Sequence, residues 1–309
     1  MKHIVALFIL FSLFIGLSDH PVIAAEDASG KPESVLKLII GGDIYYSRYN
    51  LDRDRDEESG EERKGYYILS LPVDLSWKNY LSENVYAAPY LSFRLIYDFG
   101  DESWNRNYWN NNQIVGLGAR LGKERDFLDS DGSYSGGFYP SLFAEYQFLT
   151  ETFDNAKSDI PDDVASENFK TGASAWYAKS TELGDGFRFW KEFWGEMAYH
   201  TTYFSDEGED NFLILTLIPK IGLSFAIGEL AFEPYVKGAF VNDFFGEEWN
   251  EEPWLNYVQY GPGARLSLNR LIPGSLYLYA EYLRVDYLDK KEDLTEDVRV
   301  GINFWLPVL

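Results

Sequence analysis

The sequence predicts an all-β fold, a transmembrane antiparallel outer-membrane β-barrel of about twelve strands. Three observations lead to this prediction. Apolar and polar residues alternate with a period of two along most of the chain. The N-terminus has the form of an export signal. The last strand ends in a pattern typical of outer-membrane barrels.

The N-terminal segment predicts a secretory signal peptide. Lys2 forms a basic tip, residues 4–17 (IVALFILFSLFIGL) are apolar, and residues 22–25 (VIAA) supply small side chains at a plausible cleavage point. The apolar run is shorter than the roughly 20 residues that a transmembrane helix needs. We therefore expect a cleaved signal peptide over 1–25 and a barrel over 26–309 in the outer membrane. A retained N-terminal anchor is the alternative.

The composition restricts the chemistry. The net charge is −23, which disfavours nucleic acid as a partner, and aromatic residues make up 17% of the chain, which disfavours disorder. There is no cysteine, so disulfides and thiolate chemistry are excluded. His200 is the only histidine after the predicted signal peptide, which argues against a zinc site. No cofactor or metal is predicted.

The strands follow from the alternation. In Tyr67–Trp77 every second residue is apolar, whereas Ser70, Asp74 and Ser76 occupy the other face. The segment 186–194 (GFRFWKEFW) is open to a short helical turn instead. Strands are predicted at 35–48, 66–77, 85–99, 113–123, 137–150, 168–180, 192–204, 211–226, 229–243, 257–269, 275–288 and 296–306.

A soluble exported β-sandwich is the alternative to a membrane barrel. The barrel is favoured by the length of the apolar faces, by tyrosine and tryptophan near strand ends, and by connections that alternate between long and short. Connections 124–136, 181–191 and 205–210 depart from this alternation. The C-terminal VGINFWL (300–306) resembles the assembly signal of outer-membrane barrels, with Gly301, Phe304 and Leu306 at the required spacing.

Two stretches of the chain nearly repeat. GLGARL (116–121) and GPGARL (261–266) are each followed on the next strand by Ala-Glu-Tyr. The alternation turns the glycines and the arginine of each copy into the lumen, together with the glutamate of the next strand. Since an unpaired charge in a partly dry lumen is costly, we expect Arg120 to pair with Glu145 and Arg265 with Glu281. The repeat is either duplicated hairpin packing or the lining of a solute path.

The same alternation predicts a charged, aromatic lumen. The predicted charged residues of the lumen are Arg94, Arg120, Glu145, Glu196, Lys220, Glu233, Lys237, Arg265, Glu281 and Arg299. The predicted aromatic residues are Tyr45, Tyr86, Tyr90, Tyr235, Tyr257, Tyr277 and Tyr279.

The remaining polar motifs lie outside the predicted lumen lining or leave their role open. The acidic segments Asp52–Lys64, Ser205–Asp210, Gly246–Glu252 and Asp289–Asp297 are either solvated loop surface or sites where divalent cations bridge to lipopolysaccharide. The glycine of LDSDGSYSG (128–136) is misplaced for a calcium loop, so a turn is predicted. No serine or threonine forms a diagnostic catalytic pattern with His200. We therefore expect no enzymatic activity, and His200 is predicted to lie in the lumen or at its rim.

The two repeat regions, YWNNNQIVGLGARLG with FYPSLFAEYQF and WLNYVQYGPGARLSL with SLYLYAEYL, resemble the C-terminal barrel of the NfrA-type phage-adsorption outer-membrane protein. That barrel is similar to those of bacterial exopolysaccharide-export proteins. Members of this family carry a helical-repeat periplasmic domain ahead of the barrel, whereas we expect the mature chain to begin only about ten residues before its first strand. The resemblance therefore implies a barrel that works with a separate periplasmic helical-repeat protein.

We expect the protein to be a passive channel or export conduit. Its expected substrate is an exopolysaccharide, whose sugar rings stack on the lumen tyrosines. Its other expected partners are outer-membrane lipids, lipopolysaccharide and the barrel-assembly machinery. One alternative is a non-conducting structural or receptor barrel whose loops bind lipopolysaccharide, cations or a phage. A surface hydrolase is the third hypothesis.

Overall fold

A computed structural model describes residues 25–26, 32–50, 65–100, 111–130, 132–152, 160, 164–204, 211–245, 256–269, 274–288 and 295–309. The predicted signal peptide before Ala25 lies outside these ranges. So do the acidic segments, apart from the first residues of the final strand.

Within the described ranges the chain forms fourteen β-strands. They are β1 (Ala25–Glu26), β2 (Pro32–Asn50), β3 (Tyr66–Ser82), β4 (Val85–Asp98), β5 (Asn112–Lys123), β6 (Arg125–Leu128), β7 (Tyr134–Glu151), β8 (Glu167–Gly184), β9 (Phe187–His200), β10 (Phe212–Ile227), β11 (Leu230–Asp243), β12 (Asn256–Ser267), β13 (Ser275–Tyr287) and β14 (Thr295–Pro307). None of the described residues forms a helix long and apolar enough to cross a membrane.

Twelve of these strands close into an antiparallel barrel. Each long strand pairs with its neighbours in chain order, and β14 pairs with β2, which also pairs with β3. The short β1 and β6 add to β2 and β7 without entering the ring. Closure leaves none of the twelve ring strands at a sheet edge, as a barrel in lipid requires. The predicted fold class and the predicted number of barrel strands are confirmed.

One end of the barrel carries tight turns. Two residues connect β3 to β4, β8 to β9, and β10 to β11. Gly186 and Gly228 occupy the second two of these turns at positive φ, 71° and 62°, which glycine adopts without steric cost. The connection predicted at 181–191, which departed from the alternation because it was long for this end of the barrel, is therefore wrong. The helical turn considered for 186–194 is also wrong, because β9 pairs with β8 and β10 along this whole segment.

The outer face of the barrel is apolar. Leu117, Leu142, Ile221 and Val236 are between 54% and 66% exposed although each lies within a strand. Tyr67 and Trp77 lie ten residues apart on the outer face of β3, a separation that suits aromatic residues at the two interfaces of a membrane. Such a surface is suited to lipid rather than to water. The alternative of a soluble sandwich is excluded by the closed ring.

Candidate functional site in the barrel lumen

The pairing register places the predicted lumen residues on the inner face of the wall. Tyr90, Gly118, Glu145 and Lys170 face one another across β4, β5, β7 and β8. Tyr235, Gly263, Glu281 and Arg299 do the same across β11, β12, β13 and β14. We call these two rows, with the inward residues beside them, the first wall and the second wall.

The first wall is organised around Gly118. A Cβ atom at Gly118 would lie 2.6 Å from Cζ of Tyr90 and 2.7 Å from the carbonyl oxygen of Ala144. The missing side chain therefore lets the Tyr90 ring cross β5, and its hydroxyl donates to Glu145 Oε2 at 3.3 Å. The Ser92 hydroxyl donates to the other oxygen of the same carboxylate. Glu145 is thus held by two neutral hydroxyls.

The predicted pairing of Arg120 with Glu145 is wrong. The Arg120 guanidinium instead bonds Asp74 Oδ2 on β3 at 2.7 Å and lies 4.3 Å from the centre of the Tyr90 ring. Glu145 stands opposite Gly118, whereas Arg120 stands opposite Phe143. The Tyr90 ring fills the space between the two charges, so the arginine turns toward β3.

The second wall repeats this arrangement with stronger charge pairing. The Tyr235 ring crosses Gly263 and donates to Glu281 at 2.7 Å. Lys237, at the position equivalent to Ser92, bonds the other oxygen of Glu281 at 2.8 Å. Glu281 thus carries a lysine partner where Glu145 has only a serine.

The predicted pairing of Arg265 with Glu281 is also wrong. Arg265 bonds Glu233 at 2.6 Å and Glu192 at 3.4 Å. Its guanidinium lies 4.1 Å from the Trp190 ring centre and 4.3 Å from the Tyr277 ring centre. Carboxylates and rings on both sides therefore immobilise Arg265 away from Glu281.

The repeat is longer than the sequence motifs indicated. It begins on the preceding strand with Pro-Tyr, at 89–90 and 234–235. It continues on the following strand as KTGASAW (170–176) and RVGINFW (299–305). Each copy therefore covers four strands. The central strands, β5 and β12, lie six steps apart in either direction around the twelve-stranded ring, on opposite sides of the lumen.

The two walls differ in the space beside them. A cavity of about 350 Å³ adjoins the first wall. The charged residues that line it are Asp74, Arg94, Arg120, Glu145, Lys170 and Glu196. Beside the second wall, the inward Leu283 and Val285 are fully buried. Arg299 there bonds the buried Asp297 at 2.5 Å. The second wall is thus packed, whereas the first borders open space.

The other predicted lumen residues also point inward. Lys170 bonds Glu196 at 2.7 Å, and Lys220 lies 3.7 Å from Glu192. The Tyr279 hydroxyl donates to Asp43 at 2.9 Å. The remaining aromatic contacts are Arg299 over Tyr45, Lys78 over Tyr86, and Tyr257 against the Phe212 cluster. Of the assembly-signal residues, Gly301 faces inward and Phe304 and Leu306 face outward, and their role in assembly stays a prediction.

An ion pair lies at the turn end of the lumen next to β5. Glu124, which follows β5, accepts hydrogen bonds from Lys78 and, at 2.8 Å, from Tyr80. Burial opposes ionisation of Glu124, but the hydrogen bond and the charge of Lys78 outweigh it and hold its pKa below the usual value. This pair fixes the end of β3 to the end of β5.

An apolar layer covers part of the lumen at the end with the long connections. Thr201–Phe204 follows β9 and turns inward instead of continuing the wall. Phe204 packs with the inward Ile114 and Leu149 and with Val164, which precedes β8. Tyr203 packs on Phe212 at the top of β10, with ring centres 5.6 Å apart. We call the turn Thr201–Phe204 and its apolar contacts the inner plug.

The inner plug is strained, and it is held by Asn168 together with the Thr202 hydroxyl, which donates to the Glu167 carbonyl oxygen at 2.6 Å. Tyr203 and Phe204 have φ angles of 50° and 60°, a left-handed conformation that costs roughly 1–3 kcal/mol for a residue with a side chain. Asn168 Oδ1 accepts hydrogen bonds from the backbone N–H of Thr202, at 3.3 Å, and of Tyr203, at 3.2 Å. The Asn168 amide donates to His200 Nδ1 at 2.9 Å, and the His200 ring packs edge-on against Tyr203.

The structure also shows where His200 and the segment 128–136 lie. His200 lies in the wall beneath the inner plug. The predicted turn within 128–136 is present, with the Asp129 N–H bonding the Ser133 carbonyl at 2.8 Å. Within the described ranges, no three acidic or histidine side chains are grouped as a metal site would need.

Comparisons with known proteins return low similarity. No protein-family model and no curated protein matches the chain. Among solved structures it is similar to the beta domain of the Bordetella autotransporter BrkA, at 10% identity, TM-score 0.40, covering 87% of this chain and 98% of that one. It is also similar to an outer membrane channel from Pseudomonas putida F1, at 9% identity, TM-score 0.39, covering 88% and 95%. A third is the outer membrane channel DcaP of Acinetobacter baumannii, at 11% identity, TM-score 0.36, covering 92% and 99%. The barrel assignment rests on the strand pairing of this chain, and the family resemblance stays a prediction.

Proposed function

We propose that this chain is an outer-membrane channel for polar, hydroxylated solutes, with the first wall as its conduction path. The observation that carries the proposal is the polar cavity beside the first wall, inside a closed barrel with an apolar exterior. Three cationic and three anionic side chains line this cavity. A balanced set of donors and acceptors suits a hydroxylated solute better than it suits a simple ion.

The aromatic residues support a sugar as the solute. Tyr90 and Phe143 line the cavity among the charged groups, and the Phe143 ring is partly exposed there, whereas the Tyr90 ring is covered by Arg120. Passage of a whole exopolysaccharide chain, with a separate periplasmic helical-repeat protein, is the more specific form of the proposal. It requires the inner plug to move aside, because Phe204 and Val164 lie over Ile114 and Leu149 in the lumen.

A second candidate is a non-conducting structural or receptor barrel. The buried apolar contacts of the inner plug and the packed second wall favour it. A catalytic role is not part of either proposal. His200, the histidine of greatest interest for hydrolysis, is 6% exposed, and its Nδ1 is occupied by Asn168.

Planar-bilayer recording tests the channel proposal. We expect the purified wild-type protein to show discrete single-channel openings, since a polar cavity lies directly below a small strained plug. A folded barrel that conducts neither as wild type nor after release of the inner plug would support the non-conducting alternative. Folding is checked independently by heat-modifiable migration in gel electrophoresis.

A further inference from the structure

The duplicated walls provide an internal comparison of equivalent positions. The second wall neutralises its glutamate with Lys237 and its arginine with Glu233. The first wall has Ser92 and Ala88 at the same two register positions. Glu145 and its neighbours are therefore left with fewer charged partners than their counterparts.

The first wall also carries a cation that the second lacks. Arg94 lines the cavity with an exposed side chain, and the equivalent position on β11 is the buried Ala239. The ion pairs described for the first wall join Arg120 to Asp74 and Lys170 to Glu196, and neither uses Arg94. Among the described residues, none bonds the Arg94 guanidinium, which lines the cavity with its donors available. Such a group is suited to a carboxylate.

The same cavity contains an acceptor without a donor. Asp74 Oδ2 bonds Arg120, but Asp74 Oδ1 is buried and has no hydrogen-bond donor among the described residues. Buried polar atoms are normally satisfied by a hydrogen-bond partner, and leaving one unsatisfied is unfavourable. Because this oxygen is closed off from the cavity, a hydroxyl group of a bound solute supplies the missing donor only after Asp74 turns toward it.

We infer that the cavity beside the first wall is a binding site for a hydroxylated solute with one carboxylate, a sugar acid. The inference rests on the proposed channel function and adds the solute class to it. Arg94 binds the carboxylate, and Glu145 and Asp74 accept hydrogen bonds from ring hydroxyls. The cavity volume of about 350 Å³ is within the usual range of small-molecule sites, about 300–1,000 Å³. The second wall is the structural counterpart, with the same scaffold filled by protein side chains.

Isothermal titration calorimetry on the detergent-solubilised protein tests this site with three probes: D-glucuronate, D-glucose and D-glucosamine. We expect glucuronate to bind most tightly. Arg94→Gln should weaken glucuronate binding by about tenfold or more and leave glucose binding unchanged, because it removes only the carboxylate partner. Glu145→Gln should weaken the binding of both glucuronate and glucose, because an amide oxygen is a weaker acceptor of ring hydroxyls than a carboxylate.

The second wall supplies the matched controls. Glu281→Gln is the equivalent substitution to Glu145→Gln and should leave glucuronate affinity unchanged. If that variant does not fold, Tyr277→Phe is the milder control, since the Tyr277 hydroxyl bonds only the exposed Asn269 side chain among the described residues.

The inference is overturned if glucuronate does not bind, if glucosamine binds equally tightly, or if Arg94→Gln leaves glucuronate affinity unchanged. Its failure is distinguishable from failure of the channel proposal. A protein that conducts without binding glucuronate contradicts only the site, and one that binds glucuronate without conducting contradicts only the channel.

Discussion

Asn168→Ala should open the lumen. The substitution removes the acceptor of the Thr202 and Tyr203 N–H groups while the left-handed strain at Tyr203 and Phe204 remains. Losing these bonds should destabilise the inward position of the turn by about 2 kcal/mol. The equilibrium constant between the inward and the released position should therefore change by about thirtyfold. We expect the open probability in planar bilayers to rise accordingly.

Asn256→Ala is the matched control for this variant. Asn256 is also a buried asparagine near the same end of the barrel, and its side-chain oxygen accepts the Asp243 N–H at 3.1 Å. This bond joins β12 to β11, and it is not one of the bonds that Asn168 makes to the turn Thr201–Phe204. An equal gain of conductance in Asn256→Ala, or none in folded Asn168→Ala, would show that the inner plug does not limit conduction.

Lys237→Met should have the largest effect on stability. It leaves the Glu281 carboxylate, whose side chain is 4% exposed, with Tyr235 but without its cation. Removing one member of a buried ion pair typically costs 3–5 kcal/mol. We expect the free energy of unfolding, from urea titration in lipid vesicles followed by tryptophan fluorescence, to fall by about this amount.

Ser92→Ala is the equivalent change on the first wall and should cost only about 1 kcal/mol, the usual net contribution of a hydrogen bond. The double variant Lys237→Met with Glu281→Gln should recover most of the lost stability, since it no longer contains an unpaired buried charge. Equal effects of Lys237→Met and Ser92→Ala would refute the difference between the two walls.

The fold was largely predictable from sequence because a period of two determines which side chains face lipid. The strand bounds shift most at β9, predicted at 192–204 and found at Phe187–His200. Apolar residues continue past His200, so the pattern alone extends the strand there. In the structure, Tyr203 and Phe204 instead leave the wall and enter the lumen.

The lumen residues were predictable for the same reason, but their partners were not. Alternation predicts that the side chains of Arg120 and Glu145 point into the lumen. Which partner each of them binds depends on the ring of Tyr90, which comes from a third strand. The Pro-Tyr dipeptides before each repeat were a signal that could have revealed this. The inner plug lies in connections to which alternation does not apply. Its only sequence sign was the presence of Val164, Tyr203 and Phe204 among polar neighbours.

The most direct test of the proposed conduction path is single-channel recording of Ser174→Cys in the Asn168→Ala background. Ser174 lines the cavity, and the chain has no native cysteine. A charged, membrane-impermeant thiol reagent should lower the conductance in a discrete step, whereas Ala175→Cys, on the lipid side of β8, should give no change. Conductance of Ser174→Cys that the reagent leaves unaltered would contradict a solute path along the first wall.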